Sequence, residues 1–151
     1  MKKKFFAIFF LVIFSLVGFF LINQSSKNLT PENIKQIKIA GQNIKAILAL
    51  NEEKQTKGLS GKEKLENDEG MLFVFDKAGK YNFWMKDMNF PIDIIWIGED
   101  MKVVYIKKDA DPKLYPETYG PELDAKYVLE VVSGFSEKNN LKVGDEVLFT
   151  Y

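Results

Sequence analysis

The sequence predicts a mainly β protein: a small β-sandwich or partly closed barrel with one or two short helices, preceded by a single N-terminal transmembrane helix. Three observations predict it. Short apolar runs rich in β-branched and aromatic residues recur along the chain, separated by Gly, Asp, Asn and Pro. Only one stretch beyond the N-terminus combines a capping residue with a helix-forming run. And Phe5 to Ile22 holds 18 residues without a charge, directly after Lys2, Lys3 and Lys4.

The elements follow in order. As a helix, the uncharged segment spans roughly 27 Å, the thickness of a bilayer core. Bulky residues continue through Phe19, Phe20, Leu21 and Ile22, and no small-residue cleavage pattern follows. Residues 1–23 are therefore expected to be an uncleaved anchor, with a cleaved signal segment as the alternative. The lysines belong on the cytoplasmic side, which puts the rest of the chain in the periplasm or at the cell surface, or makes it secreted if the segment is cleaved. Residues 24–33 are polar and form a linker, and 34–151 form the β domain.

Within that domain, Ile37 and Ile39, then Ile44, Ala46, Leu48 and Leu50, alternate around Gly41-Gln42-Asn43, which predicts a hairpin. Asn51 caps a short helix over residues 52–57, with acids in its first turn and Gly58 at its end. Three central strands follow at about 71–76, 81–88 and 92–98, with a fourth at about 102–107. Residues 108–125, with three prolines, read as a long loop of the kind that forms lids or binding segments. Strands at about 127–132 and near the end of the chain, with a helical turn between them, complete the pattern.

Composition excludes much chemistry. The chain has no Cys, His or Arg. Disulfides, thiol catalysis, histidine-based nucleophile activation, the commonest metal ligand and the bidentate phosphate clamp are all missing. The formal charge is zero, but setting aside Lys2, Lys3 and Lys4 leaves 18 positive against 21 negative charges. No basic footprint for nucleic acid remains. No cofactor or metal is expected: Asp109 and Asp111 lack the glycine and distal Glu of a Ca²⁺ loop. Ser60 and Ser133 lack a spacing that would pair them with a lysine base.

Strand periodicity isolates the candidate site. Lys86, Asp93 and Glu130 are each the charged member of an otherwise largely apolar strand face. An unpaired buried charge is costly, so these residues either meet one another or sit at a rim. They form the candidate polar site, and Trp84 and Trp96 are its candidate ligand-facing aromatics. One reading is acid–base chemistry by a histidine-free hydrolase or lyase using Asp93 and Glu130 with Lys86. A second is binding of a sugar-like or other cell-envelope ligand by stacking and hydrogen bonds. A third is an accessory role in which residues 108–125 contact an envelope protein. An ion pair that only fixes strand register uses the same residues.

Several motifs then occur in one order: Lys57-Gly58-Leu59, Gly70-Met71-Leu72-Phe73-Val74-Phe75, Phe83-Trp84-Met85-Lys86, Pro91-Ile92-Asp93-Ile94, Val128-Leu129-Glu130-Val131 and Gly144-Asp145. In these the chain resembles the domain of unknown function 192 family over roughly residues 35 to 151. The resemblance implies a small β-sandwich-like domain, often secreted or membrane-tethered in bacteria and archaea, and no established activity. The chain departs from the family pattern at Ser60 and Lys62, where members often carry Met and then Arg. It departs again at Asp87-Met88, where they often carry Asn-Thr.

Overall fold

A computed structural model describes residues 30–151. The expected anchor at 1–23 and most of the 24–33 linker lie outside the described residues. Among the described residues no helix is long and apolar enough to cross a membrane.

The chain alternates short apolar strands with turns, and its turn chemistry sets the register. β1 (Gln36–Ile39) and β2 (Gln42–Ala49) pair antiparallel, Ile39 opposite Gln42. The two residues between them, Ala40 and Gly41, both have positive φ (47° and 75°). That is the backbone a two-residue hairpin of matching twist requires. The turn thus sits one residue earlier than the Gly41-Gln42-Asn43 expected from the sequence. β3 (Glu69–Gly79) then lies parallel to β2. A parallel neighbour needs a crossover. Residues 50–68 supply it and carry α1 (Glu52–Lys57), capped as expected by Asn51, whose side chain accepts from the Lys54 N–H at 3.0 Å.

β5 (Ile92–Ile97), β6 (Val103–Ala110), β8 (Ala125–Val132) and β9 (Val147–Thr150) complete a seven-stranded sheet in the order β6-β5-β8-β3-β2-β1-β9. With seven strands in one sheet, no second large sheet remains to make a sandwich. The sheet instead curls into a half-barrel. Its two outer strands approach at one end, where the Val103 and Val147 N–H groups donate to the Asp145 and Met101 carbonyls, both at 2.9 Å.

Both faces of the sheet are covered, which explains why β5 is buried at every position. Inside the curl, Ile37, Ile39, Ile44, Leu72, Ile95, Leu129 and Val131 pack with Phe135 of α2 (Phe135–Lys138). On the outer face Met71, Phe73, Ile94, Trp96 and Val128 are covered by Leu59, Leu65, Met85 and Tyr119 from the connecting segments. Two expectations change here. The strand predicted over 81–88 shrinks to β4, Phe83–Trp84, because the chain turns at 85–88, where Asp87 has φ 55°. The predicted 108–125 loop is partly ordered: β6 runs on to Ala110, and β7 (Thr118–Tyr119) pairs with β4 outside the main sheet.

Gly70 occupies the tightest approach between strands. A Cβ there would lie 2.9 Å from Ile44 Cγ2 and from Leu129 Cδ1, and 3.0 Å from the Glu130 carbonyl oxygen. Gly70→Ala is therefore expected to cost about 1–3 kcal/mol by overpacking, since that carbonyl cannot withdraw without disturbing the ladder. Urea unfolding should show a lower midpoint at unchanged slope; an unaltered midpoint would refute the close approach.

Candidate functional site

The outer face of the half-barrel is roofed by loops and α1 rather than by a second sheet, and the roof leaves a space. Glu130 forms part of its floor. In the register of β8, Glu130 lies opposite Met71 of β3 and Ile94 of β5, so its same-face neighbours on both sides are apolar. It is 4% exposed, and its Oε2 has no hydrogen-bond partner. Burial without compensation disfavours the charged form and pushes the Glu130 carboxyl up to about 8.

The cavity above it measures about 330 Å³. Phe73 and Phe75 from β3, Tyr81 and Phe83 from the following segment, and Trp84 at the half-exposed end line it together with Glu130. The rings support each other. Phe75 and Tyr81 stack with centroids 3.6 Å apart, and Phe83 meets Phe73 edge-on at 4.8 Å. α1 closes one side through Gln55, whose amide donates to the Val74 carbonyl at 2.9 Å and to the Ala49 carbonyl at 3.3 Å. Gln55 thus satisfies two sheet carbonyls and fixes the helix against the sheet.

The other residues predicted for the site do not converge on Glu130. Asp93 is fully buried but points to the opposite face of the sheet, since it pairs with Val131 while Glu130 pairs with Ile94. There its carboxyl oxygens accept from three backbone N–H groups: Asp109 at 2.9 Å, Gly134 at 3.2 Å and Ser136 at 2.8 Å. Asp93 is a structural hub that ties β6 and the start of α2 to β5. Lys86 falls in the 85–88 turn, is exposed and does not line the cavity. The periodicity that placed it on a strand face does not apply there. The three-residue polar site expected from the sequence is therefore not assembled, and Glu130 is the member that faces a cavity.

The tryptophans also divide. Trp84 is 50% exposed, lines the cavity and meets Tyr115 edge-on at 6.4 Å. Trp96 is fully buried and faces no ligand space. It supports the wall from behind, edge-on to Phe83 at 5.7 Å, and donates from Nε1 to the Tyr81 carbonyl at 2.8 Å. The lesser candidates have structural partners. The Ser60 hydroxyl donates to the Lys86 carbonyl, and that of Ser133 to the Asp109 carboxylate. Asp111 accepts from the Lys113 N–H. Among the described residues no group of three or more carboxylates is arranged to hold a metal ion.

Sequence reasoning missed Phe73, Phe75, Tyr81 and Phe83 as cavity walls. They read as core because nothing in strand periodicity distinguishes a face roofed by loops from one packed under a sheet. The nearest signal was the capped α1 ending at Gly58, which announced a helix but not the face it covers.

Fold and cavity together define the class: a small half-barrel β domain with an aromatic-walled pocket that holds a single buried carboxyl. The chain belongs to the DUF192 family, described as "Uncharacterized ACR", whose family model matches residues 35–149. No curated protein matches the sequence. A solved structure of a protein of unknown function from Novosphingobium aromaticivorans is 28% identical, with a TM-score of 0.72 over 76% of this chain and 84% of that one. Another, from Sinorhizobium meliloti and described as a "putative transcription regulator", is 24% identical. Its TM-score is 0.70 over 76% of this chain and 90% of that one, a likeness of fold alone.

Proposed function

We propose that this protein is a membrane-anchored, extracytoplasmic binding module that holds a small cell-envelope ligand in the Glu130 cavity. The observation that carries the reading is the buried Glu130 carboxyl, its Oε2 unpartnered, in the lining of an open aromatic-walled space. Native structures rarely leave a buried polar atom without a partner, and such an atom in a cleft marks a functional site. The charge-free segment Phe5–Ile22 behind three lysines supports the anchor and its orientation. The hydrolase or lyase alternative loses its basis, because Asp93 and Glu130 lie on opposite faces of the sheet and leave one carboxyl, not a pair, at the cavity.

Two measurements test the proposal. A C-terminal reporter that fluoresces only in the cytoplasm should stay dark on the full chain; a bright reporter would overturn the location. The full chain in lipid nanodiscs, exposed to envelope extracts, should carry a small-molecule adduct in native mass spectrometry. Thr56→Trp places a bulky ring at the rim of the cavity from exposed α1 and should remove that adduct. An adduct that persists in the variant, or none from any extract, would refute binding in this cavity.

A further inference from the structure

The polar inventory of the cavity narrows what it can hold. An anion is poorly served there, because Arg is missing from the chain and Lys57, the one lysine on the lining, shares the rim with Glu52. A sugar presents hydroxyls all round and needs several donors and acceptors. Here the Gln55 amide N–H groups and the Ser60 hydroxyl are already committed to the Val74, Ala49 and Lys86 carbonyls. Beyond the Asn82 amide and the Thr56 hydroxyl, both on exposed residues at the rim, what remains is the buried Glu130 carboxyl among aromatic rings. A carboxylate beside aromatic faces is the combination that recognises an organic cation, because both the carboxylate and the ring quadrupoles attract positive charge.

We propose that the Glu130 cavity takes an organic ammonium ligand, its charged head on the Glu130 carboxylate and its apolar body against Phe75, Phe83 and Trp84; this rests on reading the cavity as a binding site. The ammonium supplies the partner that the carboxyl lacks. It also changes the charge state of its partner. In the free protein, burial favours protonated Glu130 up to about pH 8. A bound cation favours the carboxylate, so binding near pH 7 releases a proton to solvent. Glu52 and Lys57 of α1 and the Tyr81 phenol are the other titratable groups on the lining, and β3 and β5 bring none to it. The released proton is therefore assigned to Glu130.

Isothermal titration calorimetry of the full chain in nanodiscs at pH 7 tests this with three probes of similar body: 2-phenylethylammonium, 2-phenylethanol and 3-phenylpropionate. The ammonium is expected to bind about ten-fold or more tighter than the alcohol, and the propionate weakest. Runs in two buffers of different ionisation enthalpy should show about one proton released per ammonium bound. Glu130→Gln should bring ammonium affinity down to that of the alcohol and abolish proton release. Equal affinity for the three probes, or preference for the propionate, overturns the ammonium assignment while the binding site stands. Binding that Thr56→Trp does not weaken, or no binding of any probe, overturns both.

Discussion

Asp93→Ala is expected to destabilise the domain by about 3 kcal/mol, the largest loss of stability predicted here for a single residue. Three N–H groups from two separate segments converge on this carboxyl, and it is fully buried. Alanine takes the shared acceptor from all three donors, and the Ser136 N–H, which lies in buried surroundings, is the one left without a ready replacement. Leaving the buried Ser136 donor unsatisfied costs about 1–3 kcal/mol, and losing the carboxyl that ties β6 and the start of α2 to β5 adds to it. Asp93→Asn keeps one accepting oxygen but turns an NH₂ group toward a backbone donor, and should fall between the two. Urea unfolding of the three proteins measures this; a loss below about 1 kcal/mol for the alanine variant would refute the hub role. Because Asp93 faces away from the cavity, Asp93→Asn protein that still folds should bind the cavity probes as the wild type does.

Glu130→Gln is expected to act in the opposite direction, and only where the carboxyl is being driven to ionise. The folded-state value is about 8 and the ordinary value is 4.5, raised by burial. A raised value means that the folded state holds the proton more tightly. The contribution of Glu130 is therefore fully present below about pH 4.5 and declines as pH rises toward 8, and above that it is flat. The decline is on the order of a few kcal/mol. Glutamine has nothing to ionise, so the variant should match the wild type near pH 4.5 and become progressively the more stable of the two up to about pH 8. Unfolding free energies measured at unit steps from pH 5 to 9 decide it. A difference independent of pH would show that Glu130 is not buried uncharged.

How much of this was legible in the sequence depends on which physical signal each residue carries. Period-2 alternation marked β1, β2, β5 and β8 closely, and the capping chemistry of Asn51 marked α1, because these are local properties of the chain. The buried acids Asp93 and Glu130 were also legible as polar residues on apolar faces. Their grouping with Lys86 was not, because periodicity assigns faces only along a strand that exists, and the 85–88 segment turns. Nor does alternation say which strands are neighbours. Asp93 and Glu130 prove to lie one residue out of step across the β5–β8 ladder, and that single step puts them on opposite faces. Trp84 and Trp96 look alike in composition, but the first sits on a two-residue strand at the roof and the second in the middle of the sheet. The cavity walls depended on tertiary packing and had no local signature.

The pairing of β1 with β9 has a consequence for synthesis. Gln36 lies opposite Thr150, and the Lys35 N–H donates to the Thr150 carbonyl at 2.8 Å. The first strand of the domain therefore waits for the last, and the half-barrel cannot close its seam until residue 150 has been synthesised. Until then β1 presents an open edge, the feature of a nascent sheet most prone to pairing with the wrong chain. Such wide sequence separation also slows folding, since the ends must find each other before their contacts contribute.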